Sequence, residues 1–263
     1  MKINIGELLK DLQKRLDPNL DCSSISIQSP GVSGALLVNI KNKYIYKFYL
    51  KESDYEKTKY FLNTYRDTNY FQKIIIDNKK EKGLCLTFLR GKEVFNQNKD
   101  YSYLIEQIYE ITSKYKKSDF KTTQNDFIDF LKLIIDWNYV DTTDTSYINK
   151  YLNIIKKYDY PKYIIHGDFG SHNFIINNNK IKIIDPDMLI GDKLYDFYCG
   201  VFSDPIIFKK LTKEQILSYF DEYEVEYKNA MLIICFTFRM LVALKYKYYN
   251  DTDIYLEWYQ DLI

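Results

Sequence analysis

Ile5, Leu8, Leu9, Leu12 and Leu16 repeat with a period near 3.6 and predict a helix buried on one face. Behind Pro18 the pattern changes to short β-branched and aromatic runs. Residues 24–28, 35–40 and 44–50 read as strands, the last two joined by the tight turn Lys41-Asn42-Lys43. Helical spacing returns over 53–67, where Ser53-Asp54-Tyr55-Glu56 has the form of a capping box. Two more strands, 71–76 and 84–89, flank the polar turn 77–83. From residue 101 the periodicity is helical. Leu104, Ile105, Ile108, Tyr109 and Ile111 mark one apolar stripe, and Phe127, Phe130, Leu131, Leu133 and Ile134 mark another. Residues 114–125 and 138–146 are polar connections, and a helix over 147–157 stops before Pro161. Thr212-Lys213-Glu214-Gln215 is a second capping box, opening a helix with Ile216, Leu217, Phe220 and Tyr223 inward. An apolar helix over 229–248 follows, and no internal repeat is present.

The pattern therefore predicts an α+β chain with its strands gathered in the first 90 residues. One stretch breaks the helical second part, YIIHGDFGSHNFIINNNKIKIIDPDMLIGDKLYDFY over 163–198. Tyr163 to Ile165 form a short strand running into a polar loop. Phe174 to Ile176 and Ile181 to Ile184 form a hairpin around an Asn-rich turn. Asp168 follows the first strand, Asn173 comes five residues later, and Asp185 closes the last strand. A carboxylate, an amide and a second carboxylate offer the oxygen ligands that Mg²⁺ takes, one or two carboxylates being completed by phosphate oxygens. Asp and Asn also favour turns for purely structural reasons. In the first part, Ser29-Pro30-Gly31-Val32-Ser33-Gly34 lacks the G-K-[ST] ending of a Walker A loop. Its small residues would still let backbone N–H groups approach a phosphate.

Taken together, His166-Gly167-Asp168, Asn173, Ile184-Asp185, Gly191-Asp192 and Asp196 resemble the signature of the aminoglycoside phosphotransferase and choline kinase superfamily. The HGDFGS wording is most similar to hygromycin B phosphotransferases within it. The resemblance implies a two-lobed protein-kinase-like fold: an N-terminal antiparallel sheet lobe over 1–90 and a mainly helical C-terminal lobe over 91–263. It implies ATP or GTP as phosphoryl donor and Mg²⁺ as cofactor. Asp168 would orient the acceptor hydroxyl, and Asn173 and Asp185 would hold the metal. Ser33 and Gly34 would belong to a glycine-rich lid, and Lys47, isolated in YIYKFYL, would pair with phosphates. Glu56, or failing it Glu52, would hold that lysine. Adenine would meet backbone at Phe88, Leu89 and Arg90. Asp187 could add a water-mediated metal contact, while Asp192 and Asp196 would brace the loop. His166 would be structural, and His172 either a contact to nucleotide or acceptor or plain surface.

Composition narrows the partners. Lys and Arg number 37 against 36 Asp and Glu, a net charge of +1, so no basic stripe argues for nucleic acid. Cys22, Cys85, Cys199 and Cys235 are dispersed and, with two histidines, make neither a zinc cluster nor a disulfide framework. The first sixteen residues lack a signal peptide's apolar core, which gives the expectation of a cytoplasmic protein. The run Met231 to Leu244 is interrupted by Arg239 and too short to span a bilayer, so no membrane role is expected. Asp204, Asp221, Glu222, Glu224, Glu226 and Glu257 make the last third mildly acidic, which suits a cationic small-molecule acceptor. The expected activity is phosphorylation of a small-molecule hydroxyl, with an aminoglycoside-type antibiotic such as hygromycin B leading. A metabolic kinase of choline, ethanolamine, homoserine or a sugar, and a non-catalytic nucleotide-binding module, are the alternatives. The expected state is a monomer or weak dimer.

Overall fold

In the computed structural model of the chain, the alternating runs of the first ninety residues pair into one sheet. Residues 5–21, 23, 25–28, 35–93, 103–119, 146–204, 211–246 and 248–262 are described. Contacts divide the chain into two units, Met1–Gly91 and Lys92–Ile263.

In the first unit, β1 (Ile25–Gln28), β2 (Leu36–Ile40), β3 (Tyr44–Phe48), β4 (Ile74–Asn78) and β5 (Gly83–Thr87) form an antiparallel sheet of order β1-β2-β3-β5-β4. Lys41 and Asn42 take positive φ, which turns β2 tightly into β3 and sets Tyr46 opposite Val38. Side chains alternate across a strand, so one face carries Val38, Ile40, Tyr46, Phe48 and Cys85. Leu8 and Leu12 of α1 (Ile5–Arg15) close over that face. Leu12 is fully buried, worth about 1.5–3 kcal/mol by area. Lys47 points to the opposite face with its neighbour across the ladder, Leu84.

The helix after β3, α2 (Glu52–Thr64), departs from the expected start. Lys82 accepts Tyr49 N–H on its carbonyl and donates Nζ to Leu50 O, so the chain is fixed just before the helix. The helix opens at Glu52 with Lys51 as its cap, and Ser53 sits inside the first turn bonding Asp54. The capping box at Ser53 and Glu56 therefore does not form. Asp77 on β4 anchors α2 instead, accepting from Tyr55 Oη and pairing with Lys59 at 2.6 Å.

The second unit is built on helix packing. Its helices among the described residues are α3 (Leu104–Ser113), α4 (Ser146–Ile155), α5 (Lys193–Phe202), α6 (Lys213–Leu217), α7 (Val225–Lys245) and α8 (Tyr249–Leu262). Every residue of α5 is buried, between α3 and α7. The capping box expected at Thr212 and Gln215 forms as read. By length and composition α7 could cross a membrane, yet most of it is buried against α4, α5 and α8, as expected of a core helix. Cys85, Cys199 and Cys235 are buried free thiols, and burial pushes Cys85 up to about 12. The stripe from Phe127 to Ile134 and the connection 138–146 lie largely outside the described residues.

Among the described residues of this unit, strands occur around one loop. β7 (Tyr163–Ile165) pairs with β10 (Leu189–Gly191), and β6 (Lys92–Glu93), β8 (Phe174–Asn177) and β9 (Lys180–Ile183) form a three-stranded sheet. Asn178 and Asn179 both take positive φ, the backbone that a two-residue hairpin turn demands.

Candidate active site

Between β7 and β8 the chain turns at His166-Gly167-Asp168. Gly167 has φ +84, and a Cβ there would lie 2.7 Å from Asp187 O. Only glycine satisfies both the left-handed backbone and the close approach. The turn is then tied to the segment after β9 in three places. His166 Nε2 lies 3.0 Å from Ile184 O, Asp187 N donates to His166 O at 2.9 Å, and Ile184 N donates to Asn173 O at 3.0 Å. Asp168, Asn173 and Asp185 thus stand on two segments bound to each other.

The turn is held from below by a buried carboxylate. Asp196 on α5 accepts His166 N–H at 2.6 Å and Tyr115 Oη at 2.8 Å on Oδ2, and Gly167 N–H at 3.1 Å on Oδ1. Desolvation pushes Asp196 up to about 7, against the downward pull of those three donors. Asp192 caps α5 by accepting Leu194 N–H and takes a second bond from Tyr227 Oη, while burial raises its pKa. Both bracing roles expected of Asp192 and Asp196 are visible in these bonds. Tyr115, 81 residues from its partner, had no signal in the local pattern. His166 is fully buried, and desolvation lowers it to about 4, so it is a neutral structural imidazole.

Asp168 itself is half-exposed. Desolvation acts to raise it, but the hydrogen bond and charge of His172, helped by Arg239, hold it down to about 2. Its Oδ2 lies 3.1 Å from His172 Nε2 and 3.0 Å from Asn173 Nδ2. The same Nδ2 reaches Asp168 O at 2.9 Å. With its amide nitrogen committed to Asp168, Asn173 has its Oδ1 left for a cation. Asp185 is exposed and has φ +59. Among the described residues no group of three His, Cys, Asp or Glu could cage a metal. An amide oxygen and one carboxylate fit Mg²⁺, which completes its shell with water and phosphate.

The other expected residues belong to the first unit. Lys47 is buried, its Nζ 5.0 Å from the centroid of the Tyr49 ring. Among the described residues no ion pair joins Lys47 to Glu56 or Glu52, and the residues of α2 that reach β4 are Tyr55 and Lys59, both at Asp77. Glu56 lies one position, about 100° of helix, from Tyr55. In the segment Phe88, Leu89 and Arg90, the Phe88 N–H is already donated to Lys43 O at 2.9 Å, so it is not available to a base. Ser33 and Gly34 lie outside the described residues. Of the acidic residues in the last third, Glu222 is paired with Lys193 at 2.6 Å and Glu226 accepts Tyr158 Oη at 2.8 Å. Their charge is partly consumed within the fold.

No protein-family model matches the chain, and no curated protein does. Solved structures do. A GDP complex of aminoglycoside 2'-phosphotransferase-IIIa is 13% identical with a TM-score of 0.58, covering 99% of this chain and 98% of its own. A choline kinase from Cryptosporidium parvum is 14% identical with a TM-score of 0.59, covering 98% of this chain and 96% of its own. A streptomycin–ATP complex of APH(2")-IIa is 16% identical with a TM-score of 0.56, covering 100% of this chain and 97% of its own. At these identities the likeness establishes the fold, an antiparallel sheet unit followed by a helical unit, as in the aminoglycoside phosphotransferases and choline kinases.

Proposed function

We propose that the chain is a small-molecule O-phosphotransferase using ATP or GTP with Mg²⁺. The observation that carries this reading is the Asp168 carboxylate. Its Oδ2 is committed to His172 and Asn173, while its Oδ1 accepts from no described residue and is the atom open to an acceptor hydroxyl. A carboxyl held near 2 is a weak base. Asp168 therefore orients the hydroxyl and takes its proton late, as the new P–O bond forms and the bond to the nucleoside diphosphate breaks. Asn173 Oδ1 and the Asp185 carboxylate would hold the Mg²⁺, which would supply charge neutralisation for the phosphates. Lys47 is assigned to the phosphates by the sequence resemblance. The site works by positioning and electrostatics and forms no covalent enzyme intermediate.

The acceptor we put first is an aminoglycoside-type antibiotic, hygromycin B leading, supported by the HGDFGS wording and by aminoglycoside kinases among the structures of the same fold. Choline is the second reading, supported by choline kinase of the same fold. The setting we propose is the cytoplasm, without nucleic acid or membrane as partner. ADP release should depend on one acceptor in a panel of hygromycin B, kanamycin, gentamicin, streptomycin, choline, ethanolamine and homoserine. Asp168→Ala should abolish it while nucleotide binding persists. Nucleotide binding with no acceptor-dependent release would instead leave a non-catalytic module.

A further inference from the structure

His172 sits in the 3₁₀ turn Ser171–Asn173, with its Nε2 3.1 Å from Asp168 Oδ2. Asn173 Nδ2 also lies 3.2 Å from His172 Nε2. The amide spends its hydrogens on Asp168 O and Oδ2, so this approach brings together two donors drawn to one acceptor. A ring nitrogen facing an ionised carboxylate must carry a proton, which places one on His172 Nε2.

The neighbouring glycine explains how the ring reaches that place. Gly170 has φ −127 and ψ 164, extended backbone that any residue adopts. Its conformation therefore does not ask for glycine, but its surroundings do. A Cβ at Gly170 would lie 2.6 Å from His172 Cε1 and 2.8 Å from His172 Nδ1, with Ser203 Cβ at 3.4 Å on another side. The backbone cannot retreat, because Ser171 N donates to Ser203 Oγ at 2.7 Å and Ser171 Oγ to Ser203 O at 3.3 Å. The space where a side chain would stand at 170 is filled by the imidazole.

We propose that His172 is a positioning residue for Asp168: its Nε2–H and the Asn173 amide together clamp Oδ2, so that Oδ1 faces the acceptor, and Gly170 seats the ring. The proposal rests on the phosphotransferase reading. A carboxylate held by one donor turns about a broad, two-fold χ2 and exchanges its oxygens. Two donors on one oxygen remove that freedom. A misplacement of about 1 Å at a reacting group costs up to about a hundredfold in rate.

The test is steady-state ADP release with Mg-ATP and each of hygromycin B, kanamycin, gentamicin, streptomycin and choline, for wild type, His172→Ala, His172→Gln, Gly170→Ala and the Gly170→Ala/His172→Ala double variant. His172→Ala and Gly170→Ala should each lower kcat roughly ten- to a hundredfold while KM for ATP stays within about twofold. His172→Gln, whose amide nitrogen has about the reach of Nε2, should recover most of the loss. The double variant should be no slower than the slower single one, because both changes remove the same contact. His172 is half-exposed, so its variants fold even if Gly170→Ala does not. In parallel, ¹⁵N-edited NMR of the wild type should show a His172 ring proton on Nε2 that disappears in Asp168→Ala. A kcat for His172→Ala within about twofold of wild type, no recovery in His172→Gln, multiplying effects of the two single changes, or an Nε2 without a proton would each overturn the proposal. If the wild type phosphorylates no acceptor in the panel, the phosphotransferase reading has failed and the positioning role falls with it, whatever the NMR shows.

Discussion

Replacing Asp196 by Asn tests the buried brace under the turn, and the structure fixes both the size and the sign of the effect. Asp196 titrates near 7 in the fold against about 3.9 in an unfolded chain, because burial disfavours its charged form. The folded protein thus binds this proton more tightly. The stability linked to it is fully present below about pH 3.9 and is lost as pH rises through about 7. Three pK units correspond to roughly 4 kcal/mol in all, of which about 2–3 kcal/mol falls between pH 5 and pH 8. Asn does not titrate, so it lacks this slope. It has its own cost. With its carbonyl at the Oδ2 position it keeps the Tyr115 and His166 donors, but its NH₂ then meets the Gly167 N–H. Leaving that buried donor unmatched costs about 1–3 kcal/mol.

Urea unfolding of wild type and Asp196→Asn at pH 5 and pH 8 separates the two effects. The variant should be the less stable protein at pH 5, by about 1–3 kcal/mol, with the gap closing or reversing at pH 8. Asp192, also raised by burial, titrates in both proteins and cancels in the difference. A gap that is constant or widens from pH 5 to pH 8 would show that Asp196 keeps an ordinary carboxylate pKa, and the argument from desolvation would fail.

Gly167→Ala should cost about 1–3 kcal/mol in urea unfolding, since it strains a left-handed residue and drives a methyl into Asp187 O; a loss near zero would mean that the turn can relax. Asp77→Ala should lower stability by about 1 kcal/mol by removing the anchor of α2, read as a fall in Tm, and an unchanged Tm would leave α2 held by packing alone. Asp185→Ala and Asp185→Gly should both bind ADP without the strengthening that Mg²⁺ gives the wild type, measured by calorimetry. Asp185→Gly should be the more stable of the two variants, because glycine accepts φ +59 freely.

What was legible in the sequence was local. Asn178 and Asn179 lie between β-branched runs and make the hairpin turn that such residues favour. Thr212 and Gln215 cap α6 as their spacing says. Ser53 and Glu56 have the same spacing and do not, because Lys82, from β5's own turn, fixes where α2 begins. The same logic separates Asp168 and Asn173, five residues apart and in contact, from Lys47 and Glu56. The latter pairing depends on how a helix face turns, and the residues of α2 that meet β4 are Tyr55 and Lys59, at Asp77. Tyr115 reaching Asp196 across 81 residues, and Ser203 reaching Ser171 across 32, follow from packing that no window of the sequence contains. Gly170 was visible as a glycine; its reason, the ring of His172, is visible only in three dimensions.

Asp185 shows how the knitted loops bear on function. A non-glycine residue at φ +59 costs roughly 1–3 kcal/mol, and Pro186 behind it favours a negative φ near −120° at this position. The conformation persists because both sides are held. Ile184 is fixed through its N–H to Asn173 O and its carbonyl to His166 Nε2, and Asp187 N–H is fixed to His166 O. The bonds that impose the strain also register the carboxylate-bearing segment against Asn173. The same three bonds hold His166 between the two loops, where burial lowers its pKa to about 4 against the upward pull of its bond to Ile184 O.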